Sequence, residues 1–388
     1  MTDAPLPVRS IVLLSIAAFA SSATIRIADP LLPQIAGEFG TTVAHASIIS
    51  TACTLAYGLC QLVHGPVGDR FGKYTIITLM TLVSAVMTGA GGFADDLATL
   101  GFLRLLAGAT AAALIPLSMA HIGDIVPLDR RQPVLARFMS GQILGSIAGQ
   151  AAGGIFGEFL SWHAVFMVLG VIYLGVALLL WREVLSGRVK QTRTAVSPSF
   201  LATTLLALAR TPRVRLVVGV VFLEGVSFLG PFTYLGAYLH EHYGLGYAAI
   251  GGILACFGLG GLVYAGLSGR IVATLGPRNM VVSGGVLMAL AFALVLFVPA
   301  WPVVPVASAV CGMGFYLFHN TLQTQATQMA PHVRGIAVSL FASGFFLGQS
   351  AGVAVGGLVI TAAGYAPVFA WPIVTLPLLA VFFRRRMG

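Results

Sequence analysis

Gly65-Pro66-Val67-Gly68-Asp69-Arg70-Phe71-Gly72-Lys73-Tyr74 stands between two long apolar runs. Asp69, Arg70 and Lys73 put three charges within five positions of a chain that otherwise avoids charge. Gly65, Gly68 and Gly72 allow a tight backbone turn, and Pro66 predicts an end or bend in the helix before it. The stretch therefore reads as a charged loop joining two membrane helices on their basic side.

The rest of the chain supports that reading. Of its 388 residues, 58% are hydrophobic and 9% charged, with a mean hydropathy of +0.95. A soluble domain carries about a quarter charged residues. The expected class is an all-α polytopic membrane protein. A β-barrel would show alternating segments of about ten residues, whereas these runs are longer and continuously apolar. The net charge of +9 raises nucleic acid as a partner, but the distribution of the charges argues for membrane topology instead. Cys53, Cys60, Cys256 and Cys311 all lie in apolar runs and read as small buried hydrophobes. The first run, from about Ile11, reads as a retained span rather than a cleaved signal.

A span needs about 20 apolar residues. Twelve candidates emerge, at 11–33, 46–67, 74–93, 97–120, 134–157, 162–181, 214–237, 246–268, 279–299, 303–328, 335–361 and 366–383. Threading the chain through them puts 19 of the 21 Lys and Arg residues on the side that holds both termini and none on the other. Arg26 and Arg104 fall inside spans. By the positive-inside rule the termini are expected in the cytoplasm. A missed or invented span would scramble this sorting.

The longest polar stretch is basic and lies near the middle. It divides the chain into an N-terminal six-helix bundle (1–181), a cytoplasmic linker (182–213) and a C-terminal six-helix bundle (214–388). Residues 199–209 are apolar enough for a short interfacial helix. Equal halves suggest an internal repeat. The loop at 266–278 echoes the opening stretch, with Gly266, Gly269, Arg270 and Gly276, at the matching place in the second half; the echo lacks the aspartate.

The chain resembles the major facilitator superfamily over its whole length, in the twelve spans, the basic central loop and the 65–74 signature. Within it, the twelve-helix drug:proton antiporter branch is the nearest likeness. Asp29-Pro30-Leu31-Leu32-Pro33 resembles the acidic-proline end of that branch's first helix. Leu103-Arg104 with Gly108 resembles its motif in the fourth. Gly145, Gly149 and Gly153 in span five, followed by Trp162 and Phe166, resemble its antiporter motif, although Gln150 stands where that motif usually has proline. The resemblance implies two halves rocking about a central site, and a 65–74 loop that latches the cytoplasmic gate. In that latch Asp69 would face a helix N-terminus, such as that of span eleven near Arg334-Gly335, while Arg70 and Lys73 bind the other half or anionic lipid.

Ionisable groups within spans are costly and so are functional candidates. Arg26 and Asp29 share a face of span one at three-residue spacing and can pair; Arg104 lies about two turns into span four. These have proton-coupling or substrate roles open to them, with a structural ion pair as the alternative for Asp29. Glu224, the only acid in the spans of the second half, lies roughly 15 Å along span seven, near the midplane, where a carboxyl can carry a proton or remain a neutral hydrogen-bonding group. His319, Asn320 and Gln323 form a polar patch in span ten that either lines a substrate path or binds helices together. Tyr234 and Phe315 are candidates for the aromatic lining of the cavity. Gly141, Gly145, Gly149 and Gly153 make a smooth face for close packing or sliding, with span eight as the expected partner.

No Walker sequence and no metal-ligand constellation appears, and neither cofactor nor enzyme activity is expected. The expected function is secondary transport by alternating access in the bacterial inner membrane: proton-coupled efflux of a small organic compound by a monomer. The alternatives are a proton symporter or facilitator taking up a sugar, organic acid or other metabolite, and a non-transporting sensor, for which the cytoplasmic loops are short. Expected partners are the substrate, protons and membrane lipids, not nucleic acid. If the 65–74 stretch is a latch, Asp69→Asn leaves substrate affinity unchanged in equilibrium binding but lowers turnover in proteoliposome flux. Weakened binding with normal turnover would contradict it.

Overall fold

The computed structural model describes residues 8–187 and 198–387, which are helical throughout apart from short turns. The first half contains α1 (Val8–Glu38), α2 (Val43–Phe71), α3 (Lys73–Gly91), α4 (Leu97–Ile125), α5 (Leu128–Phe159) and α6 (Trp162–Leu185). The second contains α7 (Pro212–Tyr243), α8 and α9 within the run Tyr247–Phe297, α10 (Trp301–Gln328), α11 (Pro331–Ala363) and α12 (Tyr365–Arg386). α8 and α9 part at Gly276, whose φ of 66° and ψ of 164° suit glycine because it lacks a Cβ. A linker helix, Pro198–Arg210, covers the expected 199–209. The expected linker residues Arg188, Lys190, Arg193 and Ser197 lie outside the described residues. Where the helices restart at the end away from the termini, Thr42, Asp96 and Ser161 accept the backbone N–H of His45, Thr99 and Ala164, satisfying donors that a helix start leaves open. Hydrogen bonds from the Thr99 hydroxyl and N–H hold the exposed Asp96 carboxyl below the usual range.

Three local expectations change. The 65–74 stretch is not a loop. α2 stays helical through Pro66 to Phe71 and breaks only at Gly72 (φ 98°, ψ 119°). Packing overrides the proline: a Cβ at Gly68 would lie 2.6 Å from Leu117 Cδ2, so the last turn of α2 is pressed onto α4. The echo at 266–278 is likewise helical up to its break at Gly276. The first span is interrupted instead, by a 3-10 turn at Asp29–Leu31, where the Pro30 nitrogen cannot donate to a helix ladder.

The glycine face of α5 packs on α1, not on α8. A Cβ at Gly141 would meet Ser15, one at Gly145 would meet Phe19, at Gly149 Ala23 and at Gly153 Ile27. The second half repeats this. Gly344, Gly348, Gly352 and Gly356 of α11 face Val218, Phe222, Val226 and Tyr234 of α7. Both sides of each ladder advance by about one helical turn, except at Gly356, which meets the Tyr234 ring two turns beyond Val226, so the backbones run close together along most of each ladder. The span eight expectation failed because Gly154, not the ladder, faces α8: its Cβ would lie 2.7 Å from the Gly251 Cα.

Between the halves, α2 meets α11 and α5 meets α8. Ser350 donates to the Thr51 carbonyl (3.0 Å), the Tyr57 and Phe346 rings lie 4.4 Å apart, and Ile147 fills the space beside Gly258. These contacts run from the middle of the bundle to the end away from the termini, called the far end below. Toward the other end, which carries the basic residues, the inner faces stand open. His64, Asn320, Gln323 and Leu340 are only half-buried, and a Cβ at Gly65, Gly123 or Gly335 would meet nothing within 4 Å.

The ladders give a direct test. Gly145→Val and Gly348→Val are each expected to cost about 1–3 kcal/mol by overpacking and to lower the unfolding temperature in detergent. Gly266→Val, in open space, is expected to leave it nearly unchanged.

Candidate functional site

Two buried charged clusters lie in the interior, one in each half. In the first half, the end of α1 carries Arg26 and Asp29. Arg26 Nη1 lies 3.6 Å from Asp29 Oδ2, close enough for ion pairing but too long for a hydrogen bond. Arg104 is 1% exposed. Its Nη2 donates to the Thr24 carbonyl (2.7 Å), and its guanidinium lies over the Phe166 ring, 5.4 Å from the centroid. Phe166 therefore reaches the charged centre from α6. Gly108 brings α4 against the backbone of Cys53 in α2, which fixes the depth of Arg104. Thr24 also bonds the Tyr173 hydroxyl at 2.7 Å, and Ser21 lies 3.2 Å from that of Tyr57. The cluster holds two guanidinium groups and one carboxylate, and Arg104 Nε and Nη1 and both Asp29 oxygens have no hydrogen-bond partner. Charge is thus in excess over local hydrogen bonding, which is expensive away from water.

The second half holds Glu224 and His319. Glu224 of α7 has no exposed surface, and its Oε2 lies 2.9 Å from His319 Nδ1 of α10. Its Oε1 has no partner. The His319 ring is stacked on Phe315 (4.8 Å, 22°) and packed against Phe345 (4.5 Å) and Phe341 (5.2 Å), and its side chain remains 15% exposed. One face of the pair is thus sealed in the protein and the other reaches the open space. Directly after Glu224 the helix widens into a π turn, Gly225–Leu229. Gly225 lies so close to the α11 backbone that a Cβ would fall 2.8 Å from the Gln349 nitrogen. π turns often mark functional sites, because they re-aim side chains within a helix. Tyr316 of α10 sits edge-on to Phe315 (5.3 Å, 78°) and extends the aromatic packing around His319.

The other sequence candidates are distributed differently. Asn320 and Gln323 lie half-buried on α10 beyond His319, toward the open end. Phe315 belongs to the His319 packing. Tyr234 is remote from the open space: its hydroxyl donates to the Val353 carbonyl (2.6 Å) and lies 2.8 Å from the Ser47 hydroxyl, at the far-end contact between halves. In the 65–74 signature, Lys73 Nζ lies 2.9 Å from Asp69 and 2.8 Å from Asp124, and Arg70 lies over the Phe71 ring. These contacts tie α2, α3 and α4 together within one half. Arg334, the expected neighbour across the halves, is exposed.

Sequence reasoning treated Glu224 and His319 separately. Their depths supplied the missing signal, since each lies about three turns from the same end of its helix. It also passed over a repeat: Gly149-Gln150-Ala151-Ala152-Gly153 in α5 and Gly348-Gln349-Ser350-Ala351-Gly352 in α11. Gln150 and Gln349 are both fully buried, and each has side-chain atoms without a hydrogen-bond partner.

Two six-helix halves, a basic end and a charged centre shared between them define a transporter-like arrangement, and comparison with known proteins decides the family. The family model described as "Major Facilitator Superfamily" matches residues 14–352 and again 267–387. The chain belongs to the major facilitator superfamily. Among its relatives, the uncharacterized MFS-type transporter YceJ of Bacillus subtilis (strain 168) is 26% identical, over 85% of this chain and 84% of that one. The chloramphenicol resistance protein of Streptomyces lividans is also 26% identical, over 73% and 71%. A crystal structure of the nucleoside transporter NupG superposes with a TM-score of 0.79 at 14% identity, covering 98% of this chain and all of that one. As a superfamily member, this is a multi-pass membrane transporter.

Removing one member of the Glu224–His319 pair leaves the other buried and unpaired. His319→Ala is expected to destabilise by about 3–5 kcal/mol, and Glu224→Gln in the His319→Ala background to restore part of the loss. Additive effects of the two substitutions in thermal unfolding would deny the coupling.

Proposed function

We propose that this transporter exports a small, partly hydrophobic organic compound in exchange for protons. The observation that carries the reading is the Glu224–His319 pair, one carboxyl oxygen sealed in the protein and the imidazole edge at the open space. A carboxyl in that position changes charge as water enters or leaves, because burial opposes ionisation and a neighbouring imidazolium favours it. A proton taken up or released there alters the relative stability of the two facing states, and a few kcal/mol suffice to exchange the dominant one.

The basic end is read as cytoplasmic by the positive-inside rule, with both termini inside and the bundle in the bacterial inner membrane. On this reading the open end faces the cytoplasm and the closed end the outside. A compound entering from the cytoplasm would meet Gln323 and Asn320, then the aromatic group around His319, then the Arg26–Asp29–Arg104 cluster. Few free acids line this route, which suits neutral or anionic compounds better than strongly cationic ones. The chloramphenicol resistance relative supports export of drug-like compounds by a chain of this type. The protein is taken to act as a monomer, with lipid against its outer face and the 65–74 contacts reorganising when the cytoplasmic end closes.

Flux into and out of proteoliposomes under imposed pH gradients of each sign tests the reading, with chloramphenicol as the first probe. Expected is substrate movement opposite to the proton gradient. Glu224→Gln is expected to abolish the response to the gradient by at least tenfold while keeping gradient-independent exchange. Movement in the same direction as protons would replace export with uptake, and gradient-driven flux that survives Glu224→Gln would remove Glu224 from the coupling.

A further inference from the structure

A cavity of about 380 Å3 lies between α1 and α5 at the basic end. Val8 and Phe19 mark its ends on α1, and Val134 and Gly141 its ends on α5. Phe19 lies two turns short of Arg26, so the cavity stops before the charged cluster of the first half. The glycine ladder fixes how the two helices face one another here. Gly141 meets Ser15 and Gly145 meets Phe19. The same register, carried one and two turns back, sets Arg137 beside Ile11 and Val134 beside Val8, and all four line the cavity.

The lining is apolar except at Ser15 and Arg137. On the α1 side Val8, Val12 and Ile16 remain 63%, 49% and 38% exposed. Arg137 is exposed, and none of the ion pairs among the described residues includes it. Neither helix offers it an acid: α1 has none between Val8 and Ala28, and α5 none between Gln132 and Gly157. The neighbouring cations are engaged elsewhere. Arg9 pairs with Glu183 at 3.1 Å, and Arg131 donates to the Val126 carbonyl.

We propose that this groove binds one anionic phospholipid of the leaflet on the basic side, with an acyl chain along α1 and the headgroup phosphate at Arg137. Val8 and Phe19 are eleven residues apart, about 17 Å of helix. That is the depth of one leaflet in a hydrocarbon core roughly 30 Å thick, and an acyl chain reaches equally far. Arg137 sits one turn in from the mouth of the groove. From there an arginine lays its stem along apolar surface and carries its guanidinium up to the headgroups, where its paired N–H donors match a phosphate. A lipid so seated braces α1 against α5 beyond the last contact of the ladder.

Native mass spectrometry of the protein released from nanodiscs tests this, using equal amounts of phosphatidylglycerol and phosphatidylcholine with matched acyl chains. Expected is one retained lipid, with phosphatidylglycerol favoured about fivefold, the effect of one arginine at a membrane surface. Arg137→Gln is expected to lose the preference, and Arg137→Lys to keep most of it. Arg270→Gln, which removes an exposed charge from α8, is expected to leave it unchanged. Ile16→Trp, which fills the groove, is expected to lower retention of both lipids. The arginine variants alter an exposed side chain and test the site independently of whether Ile16→Trp folds. Equal retention of the two lipids by the parent protein would overturn the proposal. So would a preference that survives Arg137→Gln or falls equally in Arg270→Gln. A preference that appears only after deletion of residues 2–7 would assign the groove to the N-terminal segment and overturn the lipid site.

Discussion

Backbone-to-backbone contact along two glycine ladders is the constraint on which the rest of the structure depends. Within a bilayer, helices gain little from hiding apolar side chains, because lipid is as apolar as they are; close van der Waals packing must hold them instead. α5 against α1 and α11 against α7 achieve it with glycine at every fourth position. Each ladder fixes the depth of its partner helix. α1 and α7 are the helices that carry Asp29 and Glu224, so the ladders set where the membrane-buried charge sits. α5 has a second face free of side-chain bulk at Gly154, where it meets Gly251 of α8 in one of the two contacts between the halves.

The two halves use this common frame for different chemistry. The first places two arginines around one carboxylate; the second pairs one carboxylate with one imidazole. Asp29, Arg104 and Glu224 are almost wholly buried, and His319 keeps the most exposed edge of the five groups.

Much of the fold was legible in the sequence because two strong physical signals agreed. Apolar run length gave the spans, and the placement of basic residues gave their alternation. The local geometry was less legible because it is decided by neighbours distant in sequence. Pro66 reads as a helix breaker, yet the contact of Gly68 with Leu117 keeps the helix going. The glycine face of α5 identifies close packing but not its partner, since α1 and α8 both offer small residues. At the site, the ionisable residues stood out by their rarity in apolar runs. The Glu224–His319 pairing did not, because it joins residues 95 positions apart and shows only when helix depth is compared. The matching Gly-Gln segments of α5 and α11 were visible as a repeat, but identical letters in two helices acquire meaning only once both are seen against the same kind of partner.

The break at Gly72 has a mechanical consequence. With α2 helical to Phe71 and α3 starting at Lys73, a single residue joins two stiff rods. Lys73 then clamps both to the end of α4 through Asp69 and Asp124. The three helices form a braced corner with almost no slack. While the Lys73 contacts hold, a tilt of α2 against α11 would be passed to α4, and so to the arginine it carries. Such a corner would act as a crank, turning movement at the bundle's rim into displacement of charge nearer its axis.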